Sequence, residues 1–197
     1  MTEFEQPEMD SSAELPAPPR VLETSKNLLP DVRAWIRDIV VSLAIAGVVI
    51  VFLYQPVKVE GNSMMPELAD QERIFINKFI YRFENIERGD VVVFWYPLDP
   101  AKSYIKRVIG LPGETVQFVN GEVFVNGRRL PEPYVPLEYR DRQNLGPIHI
   151  PPDEFFVLGD HRTSSNDSRV WGTVERKYIY GKAVFVYWPV GQLGILR

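Results

Sequence analysis

Ser63 lies in the run Gly61-Asn62-Ser63-Met64-Met65-Pro66, and Lys106 lies in the apolar run Tyr104-Ile105-Lys106-Arg107-Val108-Ile109. Serine is a poor nucleophile until a neighbour takes its proton, and lysine can take it only where its surroundings keep it neutral. On a strand, Tyr104, Lys106 and Val108 share one face and Ile105, Arg107 and Ile109 the other. A buried Lys106 face would disfavour the ammonium, and bringing its pKa from about 10.4 to near neutrality takes about 4 kcal/mol of differential interaction. The pair therefore suggests a serine hydrolase with a lysine base. Taken singly, each motif also fits an ordinary role: Lys106 as an edge lysine with its stem on apolar surface, Ser63 as a turn hydroxyl, and Met64 and Met65 as core filling.

These residues must be carried by something, and composition limits what. The chain has 197 residues, 45% of them hydrophobic, enough for one domain with appendages. It has no cysteine, which excludes disulfides, thiol catalysis and thiolate metal sites, and only two histidines, His149 and His161. No metal and no cofactor are expected. Residues 1 to 35 hold seven acids against three bases, which leaves nineteen of each in the remainder. A neutral folded part has no basic footprint for nucleic acid.

Residues 1–34, polar, acidic and broken by Pro7, Pro16, Pro18, Pro19 and Pro30, read as a disordered tail. Residues 39–57 hold no charge. As a helix they reach roughly 28 Å at about 1.5 Å per residue, against a hydrocarbon core of about 30 Å. A transmembrane helix is therefore expected over 35–57, with Trp35 as an interfacial anchor and Arg37 and Asp38 at the surface. Arg20, Lys26, Arg33 and Arg37 before the span outnumber Lys58 and Arg73 after it, which favours a cytoplasmic N-terminus and an exocytoplasmic domain over 58–197.

Beyond the span, short β-rich runs recur at 73–77, 91–96, 104–109, 115–119, 122–125, 155–158 and 183–188. The fold class expected is mainly β, an antiparallel sheet. Asn120-Gly121 suits the type I′ turn of a hairpin, inside an insert-like region of about 111–154. A third polar segment follows the strand at Phe155: Gly159-Asp160-His161-Arg162-Thr163-Ser164-Ser165-Asn166-Asp167-Ser168-Arg169. By itself it reads as a solvated loop.

Taken together and in order, Gly61 to Leu68, Arg88 to Phe94, Tyr104 to Gly113 and Gly159 to Arg169 resemble the motifs of bacterial type I signal peptidases, membrane-bound Ser/Lys proteases. The resemblance covers roughly residues 36 to 190. It implies Ser63 as nucleophile, Lys106 as general base and Ser165 as the hydroxyl that orients the Lys106 amine. It also implies the supporting pairs Asp167 with Arg169 and Asp160 with Arg107, and an oxyanion and substrate region at Gly61, Asn62, Met64 and Pro66. Gly61 stands where many members carry a serine that completes the oxyanion hole, so the second donor is open. The implied function is removal of signal peptides from exported preproteins after an Ala-x-Ala pattern. Its implied setting is the bacterial inner membrane, the protein a single-pass monomer whose partners are preproteins and the bilayer. Three other readings stand beside it: a membrane-anchored binding domain, which would leave Ser63 and Lys106 apart; a self-cleaving repressor type; and a Ser/His hydrolase using His149 or His161.

Overall fold

The computed structural model describes residues 28–196. The chain divides into two units, residues 1–43 and residues 44–197. Helix α1 runs Leu28–Leu53. It starts earlier than the helix expected over 35–57, because Pro30 falls in the first turn, where a missing N–H costs no helical bond. It also stops four residues short of Val57, because Tyr54–Lys58 is a strand. The uncharged part of the helix is thus Ile39–Leu53, roughly 22 Å at about 1.5 Å per residue. Among the described residues no helix is long and apolar enough to cross a membrane. Most of the acidic tail expected over 1–34 lies outside the described residues.

The strands are β1 (Tyr54–Lys58), β2 (Arg73–Asn77), β3 (Val91–Tyr96), β4 (Asp99–Gly110), β5 (Thr115–Val119), β6 (Glu122–Val125), β7 (Arg128–Arg129), β8 (Leu145–His149), β9 (Glu154–Leu158), β10 (Val174–Glu175), β11 (Ile179–Trp188) and β12 (Gly194–Ile195). A short helix, α2 (Ser168–Trp171), precedes β10. All pairings are antiparallel, as expected. The main sheet has the order β1-β2-β11-β3-β4-β9-β10, with β12 beside β11. The second has the order β7-β6-β5-β8, so the hairpin expected around Asn120-Gly121 is the centre of a four-stranded sheet. Asn120 and Gly121 have φ of 51° and 78°, as a type I′ turn requires.

Strands β1 and β8 were not legible as strands because each holds a proline, Pro56 and Pro147. Both lie at a sheet edge, where an absent N–H breaks no ladder. In β3, Val91, Val92, Val93 and Phe94 are all buried rather than alternately so. The strand is covered on both faces: Val91 and Val93 join one apolar cluster with Met64, Leu68 and Ile76, and Val92 and Phe94 join another with Val108 and Val157. A third cluster, around Phe118, Ile150 and Phe156, joins the second sheet to the main one. Strand β4 crosses all three environments. It pairs with β9 only from Arg107 onward, so its Ser103–Lys106 stretch pairs with β3 on one edge and has no strand on the other among the described residues.

Candidate functional site

The segment joining β1 to β2 carries Ser63. Its neck is closed by hydrogen bonds from Val59 N–H to the Glu72 carbonyl (2.8 Å) and from Gln71 N–H to the Val59 carbonyl (2.9 Å). Gly61 adopts φ of 92°, and its N–H donates to Asp70 Oδ1 at 2.8 Å. Met64 and Leu68 are buried in the core next to β3, so the residue after the serine is an anchor. Ser63 is therefore held between a closed neck and a packed side chain, which fixes its hydroxyl with little freedom.

Lys106 lies opposite Val92 in the β3–β4 register and is 4% exposed. Its Nζ lies 2.7 Å from Ser63 Oγ and donates to the Ile105 carbonyl at 3.0 Å. Burial pushes the amine down to about 8, against the opposing pull of the Asp167 and Asp160 carboxylates, with Arg169 adding to the depression. A neutral amine accepts the serine proton; an ammonium can only donate to the oxygen. The site thus joins a hydroxyl to a base whose neutral form is accessible near physiological pH.

Behind the lysine, the loop from Gly159 to Arg169 buries Asp160, Arg162, Asp167 and Ser168 and leaves Thr163, Ser164 and Asn166 exposed. Asp160 and Arg107 form a bidentate pair, Nε to Oδ1 at 2.9 Å and Nη2 to Oδ2 at 2.7 Å, both essentially inaccessible. Asp167 and Arg169 form another, Nε to Oδ1 and Nη2 to Oδ2 both at 2.8 Å. Asp167 also accepts the Gly159 N–H at 3.1 Å. Buried charges persist only when paired in this way.

Gly159 has no room for a side chain. A Cβ there would stand 2.4 Å from the Ser63 carbonyl oxygen and 2.2 Å from Ser165 Oγ. The Ser63 carbonyl also accepts the His161 N–H at 3.1 Å. The serine loop and the polar loop are therefore pressed backbone to backbone.

Ser63, Lys106, Ser165, Asp160, Asp167, Arg107 and Arg169 thus fall within one connected region, with a departure at Ser165. Its Oγ is buried and makes no hydrogen bond, so the bond expected to the Lys106 amine is not formed here. Gly61, Asn62 and Met64 line a cleft of about 420 Å³ with Ser63 and Lys106, whereas Pro66 does not. Met64 is core on its other side. The Ser63 N–H has no hydrogen-bond partner among the described residues. His161 directs Nδ1 to the Asn62 carbonyl at 3.3 Å and packs on Tyr139, while His149 is exposed on β8. Neither histidine has a hydrogen bond to the serine hydroxyl. Among the described residues no three metal-ligating side chains gather.

Sequence reasoning missed Glu132, Asp141 and the weight carried by Arg162. Arg162 is 3% exposed, donates from Nε to the Gly159 carbonyl (3.0 Å) and pairs with Glu132 at 2.5 Å. Arg169 Nη1 donates to Asp141 as well as pairing with Asp167. The segment between β7 and β8 thus straps the polar loop at two points. Only the Arg162 motif position was visible in the sequence; nothing local to Glu132 or Asp141 signals a partner some thirty residues away.

Fold and site define a class: an antiparallel β protein in which a buried lysine amine meets a serine hydroxyl beside an unpaired strand edge. Residues 32–188 match the family described as signal peptidase, peptidase S26. Over 171 residues the chain is 40% identical to a signal peptidase I of Leptolyngbya laminosa, with 82% of each chain covered. It is 37% identical over 188 residues to a probable signal peptidase I-2 of a Synechocystis strain, covering 89% of this chain and 84% of that one. Among solved structures, a signal peptidase I of Enterococcus faecalis is 30% identical, covering 50% of this chain and 97% of that one at a TM-score of 0.46. The chain belongs to the signal peptidase family, peptidase S26, and is a signal peptidase.

Proposed function

We propose that this enzyme removes signal peptides from exported preproteins, with Ser63 as nucleophile and Lys106 as general base. The observation that carries the reading is the 2.7 Å approach of Lys106 Nζ to Ser63 Oγ, with burial bringing that amine to about 8. Neutral Lys106 takes the hydroxyl proton as Oγ bonds to the scissile carbonyl carbon. The oxyanion of the tetrahedral intermediate is met by the Ser63 N–H. As the C–N bond breaks, the lysine proton passes to the leaving amine, leaving an acyl-enzyme. Water, deprotonated by the same lysine, then attacks the ester and restores Ser63.

The substrate lies extended along the open edge of β4 at Ser103–Lys106, in the cleft whose other wall is Val57–Ser63, and its backbone pairs as an added strand. Small residues before the cut, the Ala-x-Ala pattern, suit a cleft walled by Met64 and Val93. Asp160, Arg107, Asp167 and Arg169 hold the lysine's surroundings, and Ser165 orients the amine when it rotates toward it. A binding domain without catalysis would have no need of this contact, and a Ser/His hydrolase would need a histidine in the place of Lys106.

The membrane part of the reading rests on α1. Leu43, Ile45, Val48 and Ile50 are each more than half exposed, apolar surface that water does not favour and lipid does. Trp35 stands at the charged end of the helix. We take α1 as a single-pass anchor in the bacterial inner membrane, its N-terminus cytoplasmic and the β domain outside; its uncharged part falls short of the hydrocarbon core, so the anchor requires local bilayer thinning and a snorkelling Arg37.

The test is cleavage of a preprotein bearing an Ala-x-Ala site by the detergent-solubilised full chain, beside Ser63→Ala and Lys106→Ala. Cutting by the parent alone is expected. Cutting by either variant at the parent rate removes that residue from the mechanism. Alkaline extraction of membranes tests the anchor separately, and recovery of the chain in the supernatant would overturn it.

A further inference from the structure

Away from the catalytic cleft, a second cleft of about 440 Å³ opens between the end of β2, the turn Ile80–Arg82 and the start of β11. Lys78, Arg82, Arg176 and Lys177 line it, and no carboxylate does. Lys177 is paired with Glu175 at 2.6 Å. The other three have no ion pair among the described residues. Arg176 donates only to the carbonyls of Tyr81 (2.6 Å) and Ile179 (3.5 Å), Arg82 stands over the Phe79 ring at 4.9 Å, and Lys78 is exposed. The nearby Asp90 is spent on Tyr81 Oη at 2.9 Å and Lys182 at 2.5 Å. In other clefts Arg88 is matched by Glu114 and Arg107 by Asp160, while Arg128 stands without an ion pair among the described residues. This one presents uncompensated positive charge, with a fixed guanidinium suited to phosphate oxygens.

Its surroundings are amphiphilic. Trp95, also lining it, is 43% exposed, and Phe83 beside Arg82 is 86% exposed. Aromatic rings alternating with cations suit the headgroup layer of a bilayer better than bulk water. The location fits: Lys78 N–H reaches the carbonyl of Leu53, the last residue of α1, at 3.4 Å. Tyr180, whose ring lies 4.9 Å from that of Trp95, lines both this cleft and the catalytic one.

We infer that this cleft binds the anionic headgroup of a bilayer phospholipid, whose phosphate sits between Lys78, Arg82 and Arg176 with Trp95 against its glycerol and upper acyl region. The site seats the domain on the surface at the end of α1 and beside the substrate cleft. The inference rests on the reading of α1 as a bilayer anchor.

The full chain in neutral detergent micelles is titrated with short-chain phosphatidylglycerol, with short-chain phosphatidylcholine and with inorganic phosphate, reading tryptophan fluorescence against Trp95→Phe. A saturable, Trp95-dependent response to phosphatidylglycerol alone is expected. Arg82→Gln or Lys78→Gln should weaken it about fivefold each, and the pair about 25-fold, from the attraction of one basic residue to an anionic lipid surface. Preprotein cleavage in detergent should be unchanged by either substitution, which shows the variants folded. Equal response to phosphatidylcholine, response to phosphate without preference for the lipid, or indifference to the double substitution would overturn the site. Release of the chain by alkaline extraction, with the lipid titration intact, would sink the anchor and leave the site standing.

Discussion

Gly159→Ala tests how tightly the serine is held. The added methyl would stand 2.4 Å from the Ser63 carbonyl oxygen, and ordinary contact begins at 3.4 Å, so about 1 Å of displacement must be found. Ser165 Oγ, the other close atom at 2.2 Å, belongs to a short side chain that can turn away. The Ser63 carbonyl is backbone, tied to the His161 N–H at 3.1 Å and followed by the buried Met64. Movement there carries Ser63 Oγ off the Lys106 amine, now 2.7 Å away. Misplacement of a reacting group by about 1 Å costs about 10²-fold in rate, whereas overpacking costs stability only about 1–3 kcal/mol. The expected variant therefore melts cooperatively at a somewhat lower temperature and cleaves preprotein about a hundredfold more slowly, mainly in kcat. Thermal unfolding and steady-state cleavage on one preparation measure both. A folded variant with parent-like kcat would show that the two loops are not rigidly coupled.

Further outcomes follow from the same geometry. Because burial lowers Lys106 to about 8 and only the neutral amine accepts a proton, kcat/KM should climb with pH through about 8 and fall about tenfold per unit below it; a flat profile from pH 6 to 9 would contradict a lysine base. Asp160→Asn leaves Arg107 buried without its bidentate partner and should cost about 3–5 kcal/mol in denaturant unfolding; a loss below about 1 kcal/mol would mean water reaches the pair. Ser165→Ala removes a buried hydroxyl that has no partner, so stability should hold or rise by up to about 1 kcal/mol while cleavage falls; an unaltered cleavage rate would end the orienting role.

How much could be read beforehand differs from element to element. Asn120-Gly121 announced its hairpin because few other residues adopt positive φ twice in succession. Strands with β-branched runs, such as Val91–Tyr96 and Thr115–Val119, were legible for the same local reason. Strands β1 and β8 were not, since a proline excludes a central strand and only the assembled sheet makes an edge of it. The helix end was misplaced for a related cause. Tyr54–Val57 is uncharged and could extend a helix, but pairing with Phe75 and its neighbours claims it for the sheet.

Ordered motifs around Ser63, Lys106 and Asp160 marked which side chains belong to one chemistry, because residue type and order are properties of the chain itself. Their meeting at 2.7 Å, the burial that lowers the lysine's pKa, and the straps from Glu132 and Asp141 belong to the tertiary structure alone. Desolvation and ion pairing depend on which atoms surround a group in space, and forty-three residues separate the serine from its lysine. Residue type determines what a side chain can do; only packing decides which of its states is populated.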